Sequence, residues 1–305
     1  MECPIKPDES DCCNSGCNPC ILDAYEEELK KFQACLLNKE KKIQSQCSNC
    51  LSPTAYSEFC LIAIIPHTTN SKLFTFQYVG SQRIQNPLQI NDCKFVIYEP
   101  GQHLMLKDSM FGNAFQRAYT PLYVKGQPSN QFTVLVKCNK QGRMSKVFHR
   151  MFLGYKGLWR GPYGNYKVNY DEKNLLFISQ GTGIAPFYTI ICDMLNNEDC
   201  NTFLKLFSCC HPLDLFLREE LYKMTANWNF TYELFVSKGD IVTVSKKYNE
   251  IVNYTRLGTE NIQKYLENVK GDFKVLVCGK KNFSKSTVMS LHACAVPNDA
   301  IIVFT

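Results

Sequence analysis

The sequence contains no apolar run long enough to cross a lipid bilayer. Its longest strongly apolar stretch, from Phe59 to Ile65, ends at Pro66 and is far shorter than the roughly 20 residues of a membrane-spanning helix. The first ten residues also lack the charged and then apolar pattern of a secretory signal peptide. We therefore expect an intracellular protein, cytoplasmic or mitochondrial, that has no membrane span and keeps most of its 17 cysteines reduced.

Internal repeats, low-complexity stretches and blocks of like charge are absent as well. The missing repeat argues against a solenoid, and the 45% hydrophobic content is that of a folded globular protein. Lysine and arginine outnumber aspartate and glutamate by 34 to 28, a net charge of +6. This small excess is compatible with an acidic protein partner, although an evenly solvated surface explains it more simply, and it indicates no nucleic-acid partner.

Three segments of different composition are present. Residues 1–54 hold eight cysteines and a charged stretch with helical periodicity, whose apolar positions are Leu22, Tyr25, Leu29, Phe32, Leu36 and Leu37. Residues 55–170 consist of short β-like runs separated by turn signals, which predict an antiparallel barrel or sandwich. In residues 171–305, apolar runs alternate with helix-compatible stretches, which predicts a parallel α/β sheet. The expected fold is thus a Cys-rich module, a β-barrel and an α/β domain.

The first candidate cofactor motif is the run Arg117, Ala118, Tyr119 and Thr120, at the end of a predicted strand. Alternation along a strand places Arg117 and Tyr119 on one face. A guanidinium fork suits a pyrophosphate, a tyrosine ring offers a flat surface to an isoalloxazine, and a threonine hydroxyl can bond a ring nitrogen. An exposed arginine beside a core tyrosine would also explain so short a run.

A second motif, Gly142, Arg143, Met144 and Ser145, lies between a predicted strand and a predicted helix. Backbone amides at the start of a helix can hold phosphate oxygens, and the Ser145 hydroxyl can add a contact. A hairpin turn in which Ser145 caps the helix is the alternative interpretation.

A third motif follows the apolar run that begins at Leu175, and it comprises Gly181, Thr182, Gly183 and Pro186. Glycines allow a dinucleotide to approach the backbone, and proline is tolerated in the first turn of a helix. The motif is not a full G-x-G-x-x-G fingerprint, so a tight strand-to-helix turn without a ligand is also possible.

In this order the motifs resemble those of the NADH-cytochrome b5 reductase family within the ferredoxin-NADP reductase superfamily, whose flavin domain carries Arg-x-Tyr-Ser/Thr and then Gly-x-x-Ser. The resemblance covers about residues 55–304 and implies a flavin site. In that site Arg117 binds the FAD pyrophosphate, Tyr119 packs on the flavin, and Thr120, the one catalytic candidate, bonds near flavin N5. It further implies that residues 142–145 grip the phosphates and that Lys137 lines the site.

The nucleotide half of the resemblance includes two departures. The loop from Gly181 to Pro186 is similar to the family's Gly-Gly-Thr-Gly-Ile-x-Pro element, but Gln180 replaces the first glycine. Cys278 and Gly279 match the Cys-Gly pair expected beside the nicotinamide, although a buried structural cysteine is the alternative. The family's following Pro-Pro-x-Met is here the stretch 280–283, Lys-Lys-Asn-Phe.

The implied function is that of an FAD-dependent NAD(P)H reductase that passes electrons to a protein acceptor, with a cytochrome b5-like haem protein as the leading candidate. NADH is the expected donor, but Lys238, at the end of the third α/β strand, leaves NADPH open because it can favour a 2′-phosphate. A non-catalytic flavoprotein and a metal-binding interaction scaffold built on the same fold are the alternatives.

The cysteines of the first segment form a separate motif. Cys12, Cys13, Cys17 and Cys20 have the short spacing of a zinc site, to which a second pair, Cys47 and Cys50, can contribute. A disulfide pair and plain reduced thiols stay open beside zinc. The stretch 11–29 also resembles a small oxidoreductase-like domain found at the N-termini of some mitochondrial and reductase-like proteins, a likeness that implies no mechanism.

Overall fold

The computed structural model describes residues 4–8, 11, 19–37, 48–79, 94–110, 113–138, 142–237 and 244–304. It divides into two compact units. The first comprises Met1–Ile65 and Lys72–Lys167, and the second Pro66–Ser71 and Val168–Thr305. The N-terminal residues belong to the same unit as the antiparallel sheet, and the division into three domains at residues 54 and 170 stays a prediction.

The first unit is built on a seven-stranded sheet with the order β6-β5-β9-β2-β3-β8-β7 and a short parallel pair, β1 and β4. Its strands are β1 (Ser48–Asn49), β2 (Ser57–Thr68), β3 (Ser71–Tyr78), β4 (Lys94–Phe95), β5 (His103–Met110), β6 (Asn113–Tyr119), β7 (Pro121–Leu122), β8 (Gln131–Lys137) and β9 (Lys156–Tyr163). Its helices are α1 (Ile21–Leu37) and α2 (Arg143–Arg150). Antiparallel pairing of β5 with β6 and β9, of β2 with β9 and of β7 with β8 confirms the predicted β domain.

Aromatic side chains fill the core of this sheet. Trp159 is fully buried and contacts the rings of Phe76 and Phe132 edge-on, with centroid distances of 5.0 and 4.9 Å. Phe148 of α2 packs against Phe74 at 4.7 Å and thereby ties the helix to the core. Burial of one such ring contributes on the order of 2–3 kcal/mol, so these contacts hold β3, β8, β9 and α2 together.

Helix α1 confirms the predicted N-terminal helix but corrects its apolar stripe. Ile21 and Ala24 are buried, whereas Leu22, which the sequence placed on the stripe, is 42% exposed. The buried face therefore begins one residue earlier than expected and continues at 3.6-residue spacing through Tyr25 and Leu29, which are partly buried. Within the chain that the structure describes, no helix is long and apolar enough to cross a membrane.

The second unit is a six-stranded parallel sheet with the order β13-β12-β11-β10-β14-β15, as predicted. Its strands are β10 (Asn174–Gln180), β11 (Phe203–Cys210), β12 (Phe230–Val236), β13 (Ile251–Asn253), β14 (Phe273–Cys278) and β15 (Ile301–Phe304). Its helices are α3 (Ile184–Asn196), α4 (Arg218–Met224), α5 (Thr259–Leu266) and α6 (Lys281–Ala293), with short 3-10 turns at Gly181–Gly183 and Asn298–Ala300.

The strand order reverses beside β10. The chain winds outward from β10 through β11, β12 and β13, and then returns to add β14 and β15 on the other side of β10. Such a reversal opens a crevice at the carboxyl ends of the two strands that flank it, which is where open α/β sheets bind ligands. The residues that follow β10 and β14 include both candidate nucleotide motifs.

Candidate functional site

Strand β6 presents Arg117 and Tyr119 on one face. In the β5–β6 register Leu104 lies opposite Tyr119 and Leu106 opposite Arg117. Directly paired residues of an antiparallel sheet point to the same side, and both leucines are fully buried in the core. Arg117 itself is exposed, and its Nη1 donates to the carbonyl of Gln116 at 3.2 Å. The strand therefore ends with an exposed guanidinium, two residues before a packed aromatic ring.

Tyr119 carries that ring. Its ring contacts Phe148 and Trp159 edge-on, with centroid distances of 5.3 and 6.0 Å. Burial raises the pKa of its hydroxyl well above the ordinary value, so the phenol stays protonated. Thr120 follows in the gap before β7 and is partly buried, and Ala118 is exposed on the other face of the strand.

The start of α2 lies next to the end of β8. The helix begins at Arg143, and its N-cap is Gly142, so the alternative in which Ser145 caps the helix is wrong. No side chain caps this end, and the amides of residues 143–145 have no acceptor within the helix. The Ser145 hydroxyl donates to the Lys137 carbonyl at 3.4 Å, which joins two sequence-predicted elements. Met144 is buried in the core, so it offers a ligand only its backbone.

This part of the chain is strongly basic. No aspartate or glutamate occurs between Asp108 and Asp171. The same stretch contains the basic residues Arg117, Lys125, Lys137, Lys140, Arg143, Lys146, Arg150, Lys156, Arg160 and Lys167. A region of one charge sign favours an anionic ligand. The amides at the start of α2 also favour an anion. Within this stretch, Arg117 and the amides at the start of α2 are the donors that fit a pyrophosphate.

In the second unit, the turn after β10 has the backbone that a glycine motif predicts. Gly181 has a φ of +60°, a conformation that side-chain-bearing residues rarely adopt. The turn leads directly into α3, where Pro186 is buried within the first helical turn. Thr182 is exposed at the top of the turn. These amides stand at the carboxyl edge of β10, where a dinucleotide phosphate is expected.

Gly183 touches the backbone that follows β14. A Cβ atom at this position would lie 2.6 Å from the Cys278 carbonyl oxygen and 3.1 Å from the Gly279 nitrogen. A side chain would require the backbone to shift, since 2.6 Å is shorter than the contacts that Cβ atoms make. The two candidate nucleotide motifs, nearly 100 residues apart in the chain, are therefore in contact.

Comparison with known protein families agrees with this architecture. Residues 84–168 match the oxidoreductase FAD-binding domain and residues 177–288 the oxidoreductase NAD-binding domain. Residues 1–41 match the N-terminal domain of oxidoreductase-like proteins.

A human protein named NADH-cytochrome b5 reductase-like is 30% identical over 99% of this chain and 94% of its own length. Its mouse counterpart is 28% identical over 99% of this chain and 95% of its own length. The chain belongs to the NADH-cytochrome b5 reductase-like family. It is an oxidoreductase with FAD-binding and NAD-binding domains.

Solved structures share the fold. The cytochrome b5 reductase domain of Ulva prolifera nitrate reductase superposes with a TM-score of 0.67 at 18% identity, covering 84% of this chain and 100% of that one. The CS-b5R domains of human Ncb5or, in the NAD+ form, give a TM-score of 0.66 at 19% identity, over 82% of this chain and 69% of that chain.

The two departures from the family motif are neighbours in space. A Cβ on Gly279 would lie 2.6 Å from Phe283 Cδ1 and 2.9 Å from Gln180 Cβ. The Gln180 Oε1 atom also accepts a hydrogen bond from the Lys280 amide at 3.4 Å. Gln180 and Phe283 thus lie on the same residue, Gly279, which this chain shares with the family. The sequence alone did not show that the two replacements are neighbours.

Cys278 is a neutral thiol in this arrangement. Burial raises its pKa to about 12, so the thiolate is not populated near neutral pH. The residue therefore lines the crevice as an uncharged side chain.

An ionic cluster around Glu250 was not predicted from the sequence. Glu250 is buried and accepts hydrogen bonds from Arg218 Nε at 2.8 Å, from the Tyr232 hydroxyl at 2.6 Å and from the Lys247 amide at 3.1 Å. Lys247 is a local partner, but Arg218 and Tyr232 come from α4 and β12, so no local spacing could indicate the whole cluster. Lys238, which the sequence linked to nucleotide choice, lies outside the described residues.

The predicted zinc site gains no support from the structure. Cys12, Cys13 and Cys17 lie outside the described residues, and the Cys20 amide donates to the Asp23 carboxylate at 3.2 Å. Among the residues whose placement is described, no group of three or more His, Cys, Asp or Glu side chains could hold a metal ion.

Proposed function

We propose that this chain oxidises a nicotinamide nucleotide through a bound FAD and delivers the electrons to a cytochrome b5-like haem protein. The contact of Gly183 with the Cys278–Gly279 backbone carries the proposal. It supports a nucleotide site formed by both motifs, although Gln180 and the stretch 280–283 depart from the family. The haem acceptor is inferred from the names of the relatives.

The first unit would hold FAD. Arg117 and the amides of residues 143–145 would offer cationic and dipolar donors to the pyrophosphate, and Lys137, at the end of β8, would add a second positive charge. Tyr119 would support the ring system with a protonated phenol, and Thr120 would offer its hydroxyl to a ring nitrogen. When bound, FAD accepts a hydride from the nucleotide and releases electrons singly.

The second unit would hold the nucleotide. The turn from Gly181 to Gly183 lets its phosphates approach the backbone, and the start of α3 adds a favourable dipole. Cys278 and Gly279 would line the nicotinamide end, where a neutral thiol excludes water without bringing a charge. NADH is our expected donor, and NADPH is the alternative.

A non-catalytic flavoprotein is the second candidate, and one observation favours it. Gln180 and Phe283 both crowd Gly279, where the family carries a glycine and a methionine. If these side chains exclude nicotinamide, the protein would bind FAD without being reduced by either nucleotide.

Stopped-flow mixing of the FAD-loaded protein with NADH and with NADPH separates the two candidates. Rapid bleaching of the flavin absorbance by either nucleotide is expected for the reductase, and retained yellow colour with both would refute it. R117A should weaken FAD binding at least tenfold, because one charge-assisted bond to phosphate is worth about 1.5–3 kcal/mol. R150A, which removes another exposed arginine of the same unit, is the matched control and should bind FAD normally.

A further inference from the structure

A polar cluster lies directly behind the candidate flavin strand. Gln116 precedes Arg117 in β6, so its side chain points to the opposite face, where it is only 9% exposed. Its Oε1 atom accepts hydrogen bonds from the Tyr56 hydroxyl at 3.0 Å and from Arg160 Nη2 at 2.9 Å. The back of the motif strand is therefore fixed by side chains of the same barrel.

The N-terminal segment completes this cluster through Asp11. The Asp11 carbonyl oxygen accepts from Gln116 Nε2 at 2.7 Å and from Arg160 Nη2 at 2.9 Å. Its carboxylate forms an ion pair with Lys107 at 3.1 Å. One residue of the cysteine-rich module thus binds three side chains, each on a different strand, β5, β6 or β9.

Arg160 shows how much the cluster depends on that carbonyl. The residue is 3% exposed, and its Nε and Nη1 atoms have no hydrogen-bond partner within the described part of the chain. Its guanidinium lies 4.9 Å from the centroid of the Tyr56 ring, which partly offsets the burial. A buried cation is costly unless it is paired, so loss of the Asp11 carbonyl would leave Arg160 with one acceptor, Gln116.

We infer that Asp11 is a positioning residue for the flavin site. Asp11 binds Gln116 and Arg160 on the face of β6 opposite to Arg117 and Tyr119. It thereby fixes β6 in the conformation that presents Arg117 and Tyr119. This inference rests on the proposed function, because those two residues are our candidates for FAD contacts. It gives the cysteine-rich module a role that requires neither metal nor disulfide.

The substitution Q116E tests the contact in the full-length chain. It keeps the size of the side chain and the Oε1 acceptor, but it replaces the Nε2 donor to the Asp11 carbonyl with an oxygen that the carbonyl repels. Q131E is the matched control, because Gln131 Nε2 likewise donates at 3.0 Å within the same sheet, but to Gln77 Oε1 and not to Asp11.

Three measurements are needed: the FAD dissociation constant, the visible circular dichroism of the bound flavin at saturating FAD, and amide hydrogen exchange. Q116E should raise the dissociation constant about tenfold, alter the flavin dichroism, and speed exchange in both α1 and β6. Q131E should leave all three within twofold of wild type. The dichroism matters because a loss of general stability would not change the environment of flavin that is still bound.

Q116M removes every polar contact of the side chain and should change the same three measurements as Q116E, but more strongly. If Q116M fails to fold, the test rests on Q116E. Unchanged FAD affinity and flavin dichroism in Q116E would overturn the inference. If wild-type protein binds no FAD at all, the proposed function fails first and the positioning role fails with it.

Discussion

Glu250 should make the nucleotide-binding unit sensitive to acid. Burial by itself would raise the pKa of this carboxyl, but hydrogen bonds from Arg218, Tyr232 and the Lys247 amide lower it from its usual 4.5 to about 2. A carboxyl that binds protons less readily in the folded state stabilises that state above its unfolded pKa. At 1.36 kcal/mol per pH unit, the shift corresponds to about 3 kcal/mol near neutral pH.

The sign of the effect follows from the direction of that shift. Because the folded pKa lies below the unfolded one, the contribution is complete above pH 4.5 and is lost as the pH falls towards 2. In E250Q this contribution is missing at every pH, and Arg218 loses its charged partner. The variant should therefore be less stable than wild type by about 2–4 kcal/mol at neutral pH, with a difference that shrinks below about pH 4.

Urea unfolding followed by far-UV circular dichroism, repeated at several pH values, measures this difference. E219Q is the control, because Glu219 pairs with Lys247 in the same region at 2.6 Å but its side chain is 68% exposed. Exposed ion pairs add little, so E219Q should unfold almost as wild type does. A difference between wild type and E250Q that stays constant from neutral to acid pH would refute the linkage argument.

Three further predictions concern the crevice and the cysteines. G183A should abolish nucleotide binding while FAD stays bound, because the added methyl would collide with the Cys278 carbonyl. Nucleotide titration of the flavin spectrum measures this binding. T182A, at an exposed position, should have a milder effect. C278A should leave the pH profile of turnover unchanged near neutrality, because a thiol with a pKa of about 12 does not ionise there, and a lost ionisation in that range would contradict this. If Cys12, Cys13, Cys17 and Cys20 bind zinc, elemental analysis of purified protein should find one zinc per chain, and a metal-free protein would remove that hypothesis.

Local periodicity was enough to predict both folded units. The β-like runs of residues 55–170 and the apolar runs after residue 171 are signals read within single elements, and the sheets follow them. The glycine motif at Gly181 is an equally local signal, because the positive φ of this turn is a property of a single residue. Helix α1 shows the limit, since Leu22 fits the apolar period in sequence but lies outside the face that the fold buries.

Contacts between distant residues could not be predicted in this way. Asp11 and Arg160 are 149 residues apart, and each is an ordinary charged residue in its own segment. Arg218 and Glu250 are 32 residues apart and come from different elements. Their burial depends on which strands become neighbours, and a strand order cannot be read from one sequence.

The departures at Gln180 and Phe283 show how such a long-range contact changes the interpretation of a motif. Taken separately, each replaces a family residue and weakens the nucleotide assignment. In the fold they lie on the same glycine, Gly279, whose missing side chain leaves room for both, and Gln180 also holds the Lys280 amide. The contact of Gly183 with the backbone of Cys278 and Gly279 is thus present together with both replacements. Phosphate binding, which depends on backbone amides, should be conserved, whereas selection at the nicotinamide end should differ from that of relatives with the standard motif.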